Sequence, residues 1–182
     1  MAETERQLTE AIREGDRAAL RRLYERYVRY GMAIALRIVA DEEDALDVVH
    51  DAFVSILTSI DTFDYRGEGS LKAWVARIVT NKSLSWLKDN DKLQLTDQLP
   101  EEPANDDDAP IEAVPPNVLN TMISHLPKAN RIVVNLHVFG EMTHREIGQE
   151  LGISAKTSMA YFSRAKQMLS KMIKEYLNAQ GI

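Results

Sequence analysis

The stretch from Glu141 to Lys166 constrains the fold more than any other part of the chain, because it predicts two helices joined by a tight turn. Thr143 followed by Glu146 is a capping box, in which each side chain accepts a backbone N–H of the other and starts a helix. Gly152 supplies the positive φ at which a helix ends, and Ser154 is a good N-cap for the next one. The pattern predicts a helix-turn-helix with a long second helix.

The second helix of this motif has an apolar face and a basic face. Its apolar residues recur at steps of three and four: Phe162, Ala165, Leu169, Ile173 and Tyr176. At about 100° per residue, the opposite face carries these residues and no acid: Lys156, Ala160, Arg164, Gln167 and Lys171. Such a helix can enter a DNA major groove. An ordinary solvated face in a helical bundle has the same pattern, so the motif alone leaves both interpretations open.

The whole chain is that of a globular protein without cysteine chemistry. Its 182 residues are 45% hydrophobic, which is enough for packed cores. Zero cysteines exclude disulfides, cysteine-ligated zinc, iron–sulfur clusters and thiol catalysis. The sequence has neither a long apolar run nor a signal-peptide pattern at its start, so we expect a cytoplasmic protein without membrane insertion.

Charge is distributed unevenly along the chain and divides it into three segments. Residues 117–182 carry 8 Lys/Arg against 4 Asp/Glu, although the whole chain has a net charge of −6. Residues 91–116 carry 1 Lys against 8 Asp/Glu and show no apolar period. Such a segment cannot bury enough surface to offset its ordering entropy, which predicts a flexible acidic linker. The basic segment 117–182 has the sign of charge that phosphate contacts require.

Both predicted domains are helical. The apolar periods predict helices over Leu8–Glu14, from Asp16 to about Val39, from Asp41 to Ile60, over Leu71–Lys88, over Asn117–Leu126 and over Lys128–Phe139. The loop 61–70 contains two glycines and ends at Ser70, which we expect to cap the helix that follows. The expected fold is all-α, with an N-terminal helical bundle (1–90) and a C-terminal helix-turn-helix domain (117–182) joined by the linker 91–116.

Aromatic and basic residues follow the loop 61–70. Rings can stack on unpaired bases and cations can hold their phosphates, which is the mixture that single-stranded nucleic acid requires. Trp74 lies on the apolar face of its predicted helix and is therefore also expected as a core residue.

In this order, the segments resemble the bacterial alternative sigma factors of the extracytoplasmic-function type over nearly the whole chain. The stretch Ala45–Phe53 looks like the family's helix that binds core RNA polymerase. The stretch Phe63–Lys82 looks like the loop and helix that melt and read the minus-ten element. The stretch Leu126–Arg131 and the helix-turn-helix resemble the domain that reads the minus-thirty-five element.

The resemblance implies three sets of site residues. The polymerase-binding set is Asp44, Asp47, His50, Asp51 and Phe53. The minus-ten set is Tyr65, Arg66, Ser70, Lys72, Trp74, Arg77, Asn81 and Lys82. The minus-thirty-five set is Arg145, Lys156, Thr157, Ser158, Met159, Tyr161, Arg164 and Lys171. The acidic linker would lie in a basic channel of the polymerase, although a plain solvated tether has the same composition.

The resemblance implies a promoter-specificity subunit that does no covalent chemistry and needs no cofactor. Its partners would be core RNA polymerase, promoter DNA and an anti-sigma factor. Met159 and Tyr161 stand where the family frequently has cations, and Lys88–Asp91 replaces a frequent basic cluster. Because phosphate neutralisation dominates affinity for DNA, we expect polymerase to supply much of the promoter binding.

Two other functions are compatible with parts of this pattern. A sigma-like module could sequester an anti-sigma factor without binding DNA, which would explain the missing cations. An enzyme with two metal ions is suggested by the spacings Asp47-x-x-His50 and Glu141-x-x-His144. Glu141 precedes the capping threonine, however, and two further inward carboxylates are missing, which argues against the metal site.

Overall fold

The computed structural model describes residues 3–90, 95–96 and 109–181 of the chain. In these ranges the chain forms eight α-helices and no strand, which confirms the all-α prediction. None of the helices in the described ranges is long and apolar enough to cross a membrane. The chain divides into two compact units, Met1–Asn90 and Asp91–Ile182.

The first unit is a bundle of four helices. They are α1 (Glu5–Arg13), α2 (Arg17–Val39), α3 (Glu42–Ser59) and α4 (Ser70–Asp89). Helices α2, α3 and α4 pack against one another, and α1 packs on α2. The side chains of Asp16 and Asp41 cap α2 and α3 by accepting backbone N–H groups of their first turns. Ala40 ends α2 in the left-handed region, at φ 64°.

Close packing of α2 on α3 depends on a glycine. A Cβ atom on Gly31 would lie 3.3 Å from a ring carbon of Phe53 and 3.4 Å from a methyl carbon of Val79. Both neighbours are side chains of the fully packed core. The glycine therefore makes room for the aromatic ring between the helices.

The connection between α3 and α4 begins with the 3₁₀ turn Ile60–Thr62 and continues as an irregular loop. Phe63 is only 4% exposed and its ring centroid lies 5.3 Å from that of Trp74, which holds the loop on the bundle. The sequence predicts Ser70 as the N-cap of α4, and this prediction is wrong. Gly69 occupies that position at φ 92° and offers no side chain, while the Ser70 hydroxyl donates to the carbonyl of Gly67 (2.6 Å).

The second unit contains the remaining four helices. They are α5 (Pro116–Ser124), α6 (Lys128–Val134), α7 (His144–Leu151) and α8 (Ala155–Gln180), and α6 continues as a π-helical turn over Asn135–Phe139. Helix α8 packs against α5, α6 and α7. One cluster of its core is Ile123, Leu126, Val134 and Ala165, and another is Val114, Met122, Ile173 and Leu177.

Part of the segment 91–116 belongs to this unit. Residues 91–94 and 97–108, on which most of the predicted flexible linker falls, lie outside the described residues. After them comes the 3₁₀ turn Ile111–Ala113, and Val114 is 6% exposed in the cluster with Ile173 and Leu177. Val114 thus packs against α8 although it lies within the predicted linker, and the flexibility of residues 91–116 stays a prediction.

Candidate functional site

One exposed face of α3 combines acidic and apolar side chains. We call it the α3 stripe; its residues are Leu46, Asp47, His50, Asp51 and Val54. Leu46 is 47% exposed and Val54 is 62% exposed. The predicted set contains the polar members of this stripe but misses the two apolar ones. In the sequence, both can be recognised because they are apolar residues at positions that do not belong to the buried face of the helix.

The structure places Phe53 away from the α3 stripe. Phe53 is 2% exposed, and its ring meets the ring of Tyr24 edge-on at 5.0 Å between centroids. This corrects the expectation that Phe53 lies on a docking surface, since position 53 falls on the inner face of the helix with Val49 and Ile56. Asp44, in the first turn of α3, is half-buried.

The loop between α3 and α4 and one face of α4 form a second candidate surface. Ser70, Trp74, Arg77 and Asn81 are spaced by three or four residues, which puts them on one face of the helix. Arg77 and Asn81 are exposed, and Trp74 is half-buried because it packs on the core beside Phe63. We call these four residues the α4 face.

Two predicted loop residues lie next to this face. Arg66 is exposed and pairs with Asp64 at 3.2 Å between Nε and Oδ2. The Tyr65 hydroxyl donates to Glu68 (3.4 Å), and partial burial together with that carboxylate raises the pKa of Tyr65. The loop thus presents an aromatic ring and a cation at the start of the α4 face.

Lys72 and Lys82 lie off the α4 face. At about 100° per residue, Lys72 points away from Trp74 and Arg77, and its ammonium group lies 4.8 Å from the ring centroid of Tyr30. Lys82 is half-buried. Of the eight predicted minus-ten residues, the structure therefore brings together six.

The helix-turn-helix has the local geometry that the sequence predicts. Thr143 and Glu146 form both bonds of the capping box, with the Thr143 amide donating to the Glu146 carboxylate at 2.8 Å. Gly152 ends α7 at φ 69°, and Ser154 accepts the amide of Thr157 (3.0 Å). Sequence reasoning misses Gly148, where a Cβ atom would lie 2.7 Å from the carbonyl oxygen of residue 153 in the turn.

Three rings meet inside this unit. The imidazoles of His137 and His144 stack at 4.4 Å between centroids, and the ring of Phe162 lies edge-on to His137 at 4.7 Å. The Nδ1 atom of His144 is 3.0 Å from the Ser158 hydroxyl, and that of His137 is 2.8 Å from the carbonyl of Met142. Burial, together with the charge of His137, lowers the pKa of His144.

Three residues predicted to contact bases are buried. Ser158 is fully buried against His144, and Thr157 is 5% exposed, its amide donating to the Ser154 hydroxyl. Tyr161 is 5% exposed; its hydroxyl accepts the amide of Thr96 (3.1 Å) and donates to the carbonyl of the same residue (3.3 Å). This corrects the expectation that the three side chains are presented on the outside of α8.

Asn130 and Arg131 of α6 form hydrogen bonds with the backbone of α8 and α5, respectively. The Asn130 amide donates to the carbonyl of Tyr161 (2.8 Å), and the Arg131 guanidinium donates to the carbonyl of Ser124 (3.1 Å). Burial lowers the pKa of Arg131. The stretch Leu126–Arg131, on which part of the resemblance rests, therefore has a structural role.

The exposed side of the first half of α8 is a row of residues spaced by three and four. The row is Lys156, Met159, Ser163 and Lys166; Met159 is 57% exposed and Ser163 is half-buried. Arg164 is half-buried, and Lys171 is exposed at 4.0 Å from Glu175. Arg145 is exposed on α7. Sequence reasoning misses Lys166 and Ser163, which lie on the same side of α8 as Met159.

The two spacings that suggest a metal site do not converge in the structure. Across residues 3–90, 95–96 and 109–181, no three His, Cys, Asp or Glu side chains are grouped to hold a metal ion. Glu141 precedes α7 at φ 53°, while the ring of His144 is stacked inside the second unit.

Fold and surfaces together define an all-α protein of two helical units, one of which carries a helix-turn-helix. Two family models match the chain: Sigma-70 region 2 over residues 23–93 and Sigma-70, region 4 over residues 117–169. Together they cover about two thirds of the 182 residues. The chain belongs to the sigma-70 family and is an RNA polymerase sigma factor of the extracytoplasmic-function type.

Relatives of known function are similar over nearly their full length. The ECF RNA polymerase sigma factor SigW of Bacillus subtilis (strain 168) is 23% identical, and the match covers 90% of this chain and 94% of SigW. The RNA polymerase sigma factor NccH of Alcaligenes xylosoxydans xylosoxydans is 27% identical, with 88% and 89% covered. The solved structure of CnrH in complex with the cytosolic domain of CnrY has a similar fold (TM-score 0.51, 24% identity, 94% and 97% covered).

The family determines what this protein does. It is an alternative sigma factor, which binds core RNA polymerase and promoter DNA and directs the initiation of transcription. Sigma factors are not enzymes; their function is binding and recognition.

Proposed function

We propose that the two units divide promoter recognition between them. Residues 1–90 dock on core RNA polymerase through the α3 stripe and read the minus-ten element with the loop 63–70 and the α4 face. Residues 117–182 read the minus-thirty-five element with α8, and residues 91–116 connect the two. The observation that carries this division is the α3 stripe, where large apolar side chains remain exposed beside carboxylates.

Docking through the α3 stripe follows from its chemistry. Leu46 and Val54 flank the carboxylates of Asp47 and Asp51, and the opposite side of the same helix is the core of the unit. Exposed apolar residues with a charged surround match the usual anatomy of a protein interface, in which a buried apolar centre has a polar rim. The carboxylates call for a basic partner surface and would steer the encounter.

The loop 63–70 and the α4 face suit an unstacked strand. Tyr65 and Trp74 provide rings, and Arg66 and Arg77 provide cations within two turns of helix and loop. Base stacking contributes about 1–3 kcal/mol per base, and the cations neutralise phosphates. We assign Lys72 to the support of this surface, because its ammonium group is engaged with Tyr30.

For the minus-thirty-five element, the exposed row of α8 replaces the buried residues. Lys156 and Lys166 are exposed on the same side of α8 as Met159, Arg145 is exposed on α7, and Arg164 and Lys171 are further cations of α8. The cations suit phosphates, and Met159 suits an apolar base edge such as a thymine methyl. Thr157, Ser158 and Tyr161 then act from the interior, where they fix the position of α8.

A protein regulator and a cytoplasmic location complete the proposal. CnrH, which has a similar fold, forms a complex with the cytosolic domain of CnrY. By analogy, we propose that an anti-sigma protein binds this chain and competes with core polymerase. Its work on promoter DNA requires the compartment that holds the chromosome, the bacterial cytoplasm.

Charge reversal tests the docking surface. The double variant Asp47→Lys and Asp51→Lys should weaken binding to purified bacterial core RNA polymerase at least tenfold, a loss of about 1.4 kcal/mol or more, because two lysines would face a basic surface. The matched control reverses Glu14 and Asp61, two exposed acids of the same unit outside α3. Holoenzyme formation is measured by titration with fluorescently labelled sigma factor.

The two outcomes separate the alternatives. Equal affinities of the double variant and the control would refute docking through the α3 stripe. Normal docking without any transcription from promoters selected by the reconstituted holoenzyme would favour a module that only sequesters an anti-sigma factor.

A further inference from the structure

We infer that Glu5, on the short N-terminal helix, is a positioning residue for the loop that reads the minus-ten element. Its side chain completes the helix start that the loop itself leaves open. The inference rests on the proposed role of the loop 63–70, and it adds a residue outside both the family-model match at 23–93 and the predicted sites.

Glu5 is a charged residue in the interior of the first unit. It is 2% exposed, and each carboxylate oxygen accepts two hydrogen bonds. Oε2 accepts the amides of Gly69 and Leu71, both at 2.9 Å. Oε1 accepts the amide of Lys72 at 3.1 Å and the hydroxyl of Tyr27 at 2.7 Å. One side chain thus satisfies all four donors. In the sequence, Glu5 is more than sixty residues away from the three amides.

These three amides belong to the open end of α4. The first amides of a helix have no partner within it and are usually satisfied by a side chain at the N-cap. Gly69 occupies the N-cap and has no side chain, and the hydroxyl of Ser70 is turned back to Gly67. A carboxylate at this end also meets the positive end of the helix dipole. Glu5 therefore takes the place of the missing local cap.

The loop returns the contact to α1. The Glu68 carboxylate accepts the amide of Glu5, at 3.3 Å to each oxygen, in addition to the capping box that Thr4 and Gln7 form at the start of α1. Glu68 also lies 3.6 Å from the guanidinium of Arg26. At the other end of α1, the Arg13 guanidinium donates to the carbonyl of Phe63. Helix α1 thus holds the loop at both ends.

The loop's conformation decides where its binding groups lie. Gly67 and Gly69 have φ values of 130° and 92°. Because glycine has no Cβ and adopts many backbone conformations, contacts with neighbouring groups must fix the conformation of the loop here. Tyr65 and Arg66 precede these glycines, and the α4 face follows them. Loss of the Glu5 contacts should therefore displace the ring and the cation relative to the α4 face and reduce discrimination between bases.

The test compares Glu5→Ala and Glu5→Gln with Glu10→Ala. Glu10 is on the same helix, but it is exposed and pairs with Arg6, one turn away. The wild-type holoenzyme first selects a promoter duplex from a randomised library. Each variant holoenzyme is then titrated with that duplex carrying a mismatched bubble over the minus-ten element, in its selected and in a scrambled sequence. Hydrogen exchange of the free proteins is measured at residues 69, 71 and 72.

For Glu5→Ala, we expect holoenzyme formation within twofold of the wild type, at least tenfold faster exchange of the three amides, and at least a tenfold lower affinity ratio of selected over scrambled sequence. Glu5→Gln keeps one acceptor oxygen and should be intermediate, and Glu10→Ala should match the wild type. Equal exchange and equal ratios in Glu5→Ala and Glu10→Ala would overturn the inference. A parallel loss of polymerase binding in both Glu5 variants would also overturn it, since it would reveal a general folding role.

The proposed function can fail separately. If the wild-type holoenzyme shows no preference for the selected bubble, the minus-ten assignment of the loop is refuted. Hydrogen exchange would still decide whether Glu5 holds the loop.

Discussion

Replacing Phe53 by alanine should affect stability, whereas replacing its neighbour Val54 should affect polymerase binding. The two side chains are adjacent in α3 but point in different directions: Phe53 is 2% exposed in the core, and Val54 is 62% exposed on the α3 stripe. Phe53→Ala should destabilise the first unit while Val54→Ala weakens docking. The pair tests the orientation of α3, and with it the assignment of the polymerase-binding residues.

The expected magnitude for Phe53→Ala follows from its surroundings. Removing a buried phenylalanine usually costs about 3–5 kcal/mol. The ring fills the space over Gly31 and has an edge contact with Tyr24, which contributes roughly 0.5–1.5 kcal/mol beyond area burial. Since single domains are stable by about 5–15 kcal/mol, the variant should lose a large fraction of its stability. Val54→Ala should change stability by about 0.5 kcal/mol at most.

Urea unfolding followed by tryptophan fluorescence measures this difference. Both tryptophans, Trp74 and Trp86, belong to the first unit, so the signal reports that unit alone. At about 1–3 kcal/mol per molar urea, Phe53→Ala should lower the midpoint by more than about 1 M. Val54→Ala should keep the midpoint and lose about tenfold in polymerase affinity, as expected for an apolar anchor of an interface. A Phe53→Ala protein with an unchanged midpoint and lost polymerase binding would refute this orientation of α3.

Four further outcomes are expected in the second unit. Gly148→Ala should destabilise the second unit, because a clash with the turn backbone costs about 1–3 kcal/mol, whereas helix propensity gains about 1 kcal/mol. Thermal melts followed by circular dichroism measure the change, and a higher melting temperature would contradict the prediction. Burial and His137 lower the pKa of His144, so His144 binds a proton in the unfolded state at a higher pH than in the folded state. Stability should therefore fall as the pH drops below about 6.5. His144→Gln should reduce this pH dependence in thermal melts at several pH values. Tyr161→Phe should leave the selected minus-thirty-five sequence unchanged, since the hydroxyl faces the protein; a new preference in the same selection would show that it contacts DNA. Arg164→Ala should weaken holoenzyme binding to all promoters. In titrations at several salt concentrations, the slope of the logarithm of the binding constant against the logarithm of the salt concentration should decrease in magnitude by about 0.9, the value for one phosphate contact.

The sequence by itself determines the helices and most of their ends. Asp16 caps α2, and Thr143 with Glu146 caps α7 as predicted, because the partners in these bonds are two or three residues apart. Gly152 ends α7 in the left-handed region for an equally local reason. The apolar period likewise predicts which residues of α8 face inward, from Ala165 to Ile173.

Tertiary structure alone decides the features that depend on distant partners. The sequence assigns the start of α4 to Ser70, but Glu5 caps it across more than sixty residues, a pairing that no local spacing records. Tyr161 is marginal by helical period, yet it is 5% exposed, and its hydroxyl bonds the backbone of the distant Thr96. Phe53 lies on the inner face of α3 by helical period, whereas the packing of its ring over Gly31 depends on a distant part of the chain. Hydrogen bonds within one turn can be predicted from residue spacing, whereas side-chain burial is decided by segments that only folding brings together.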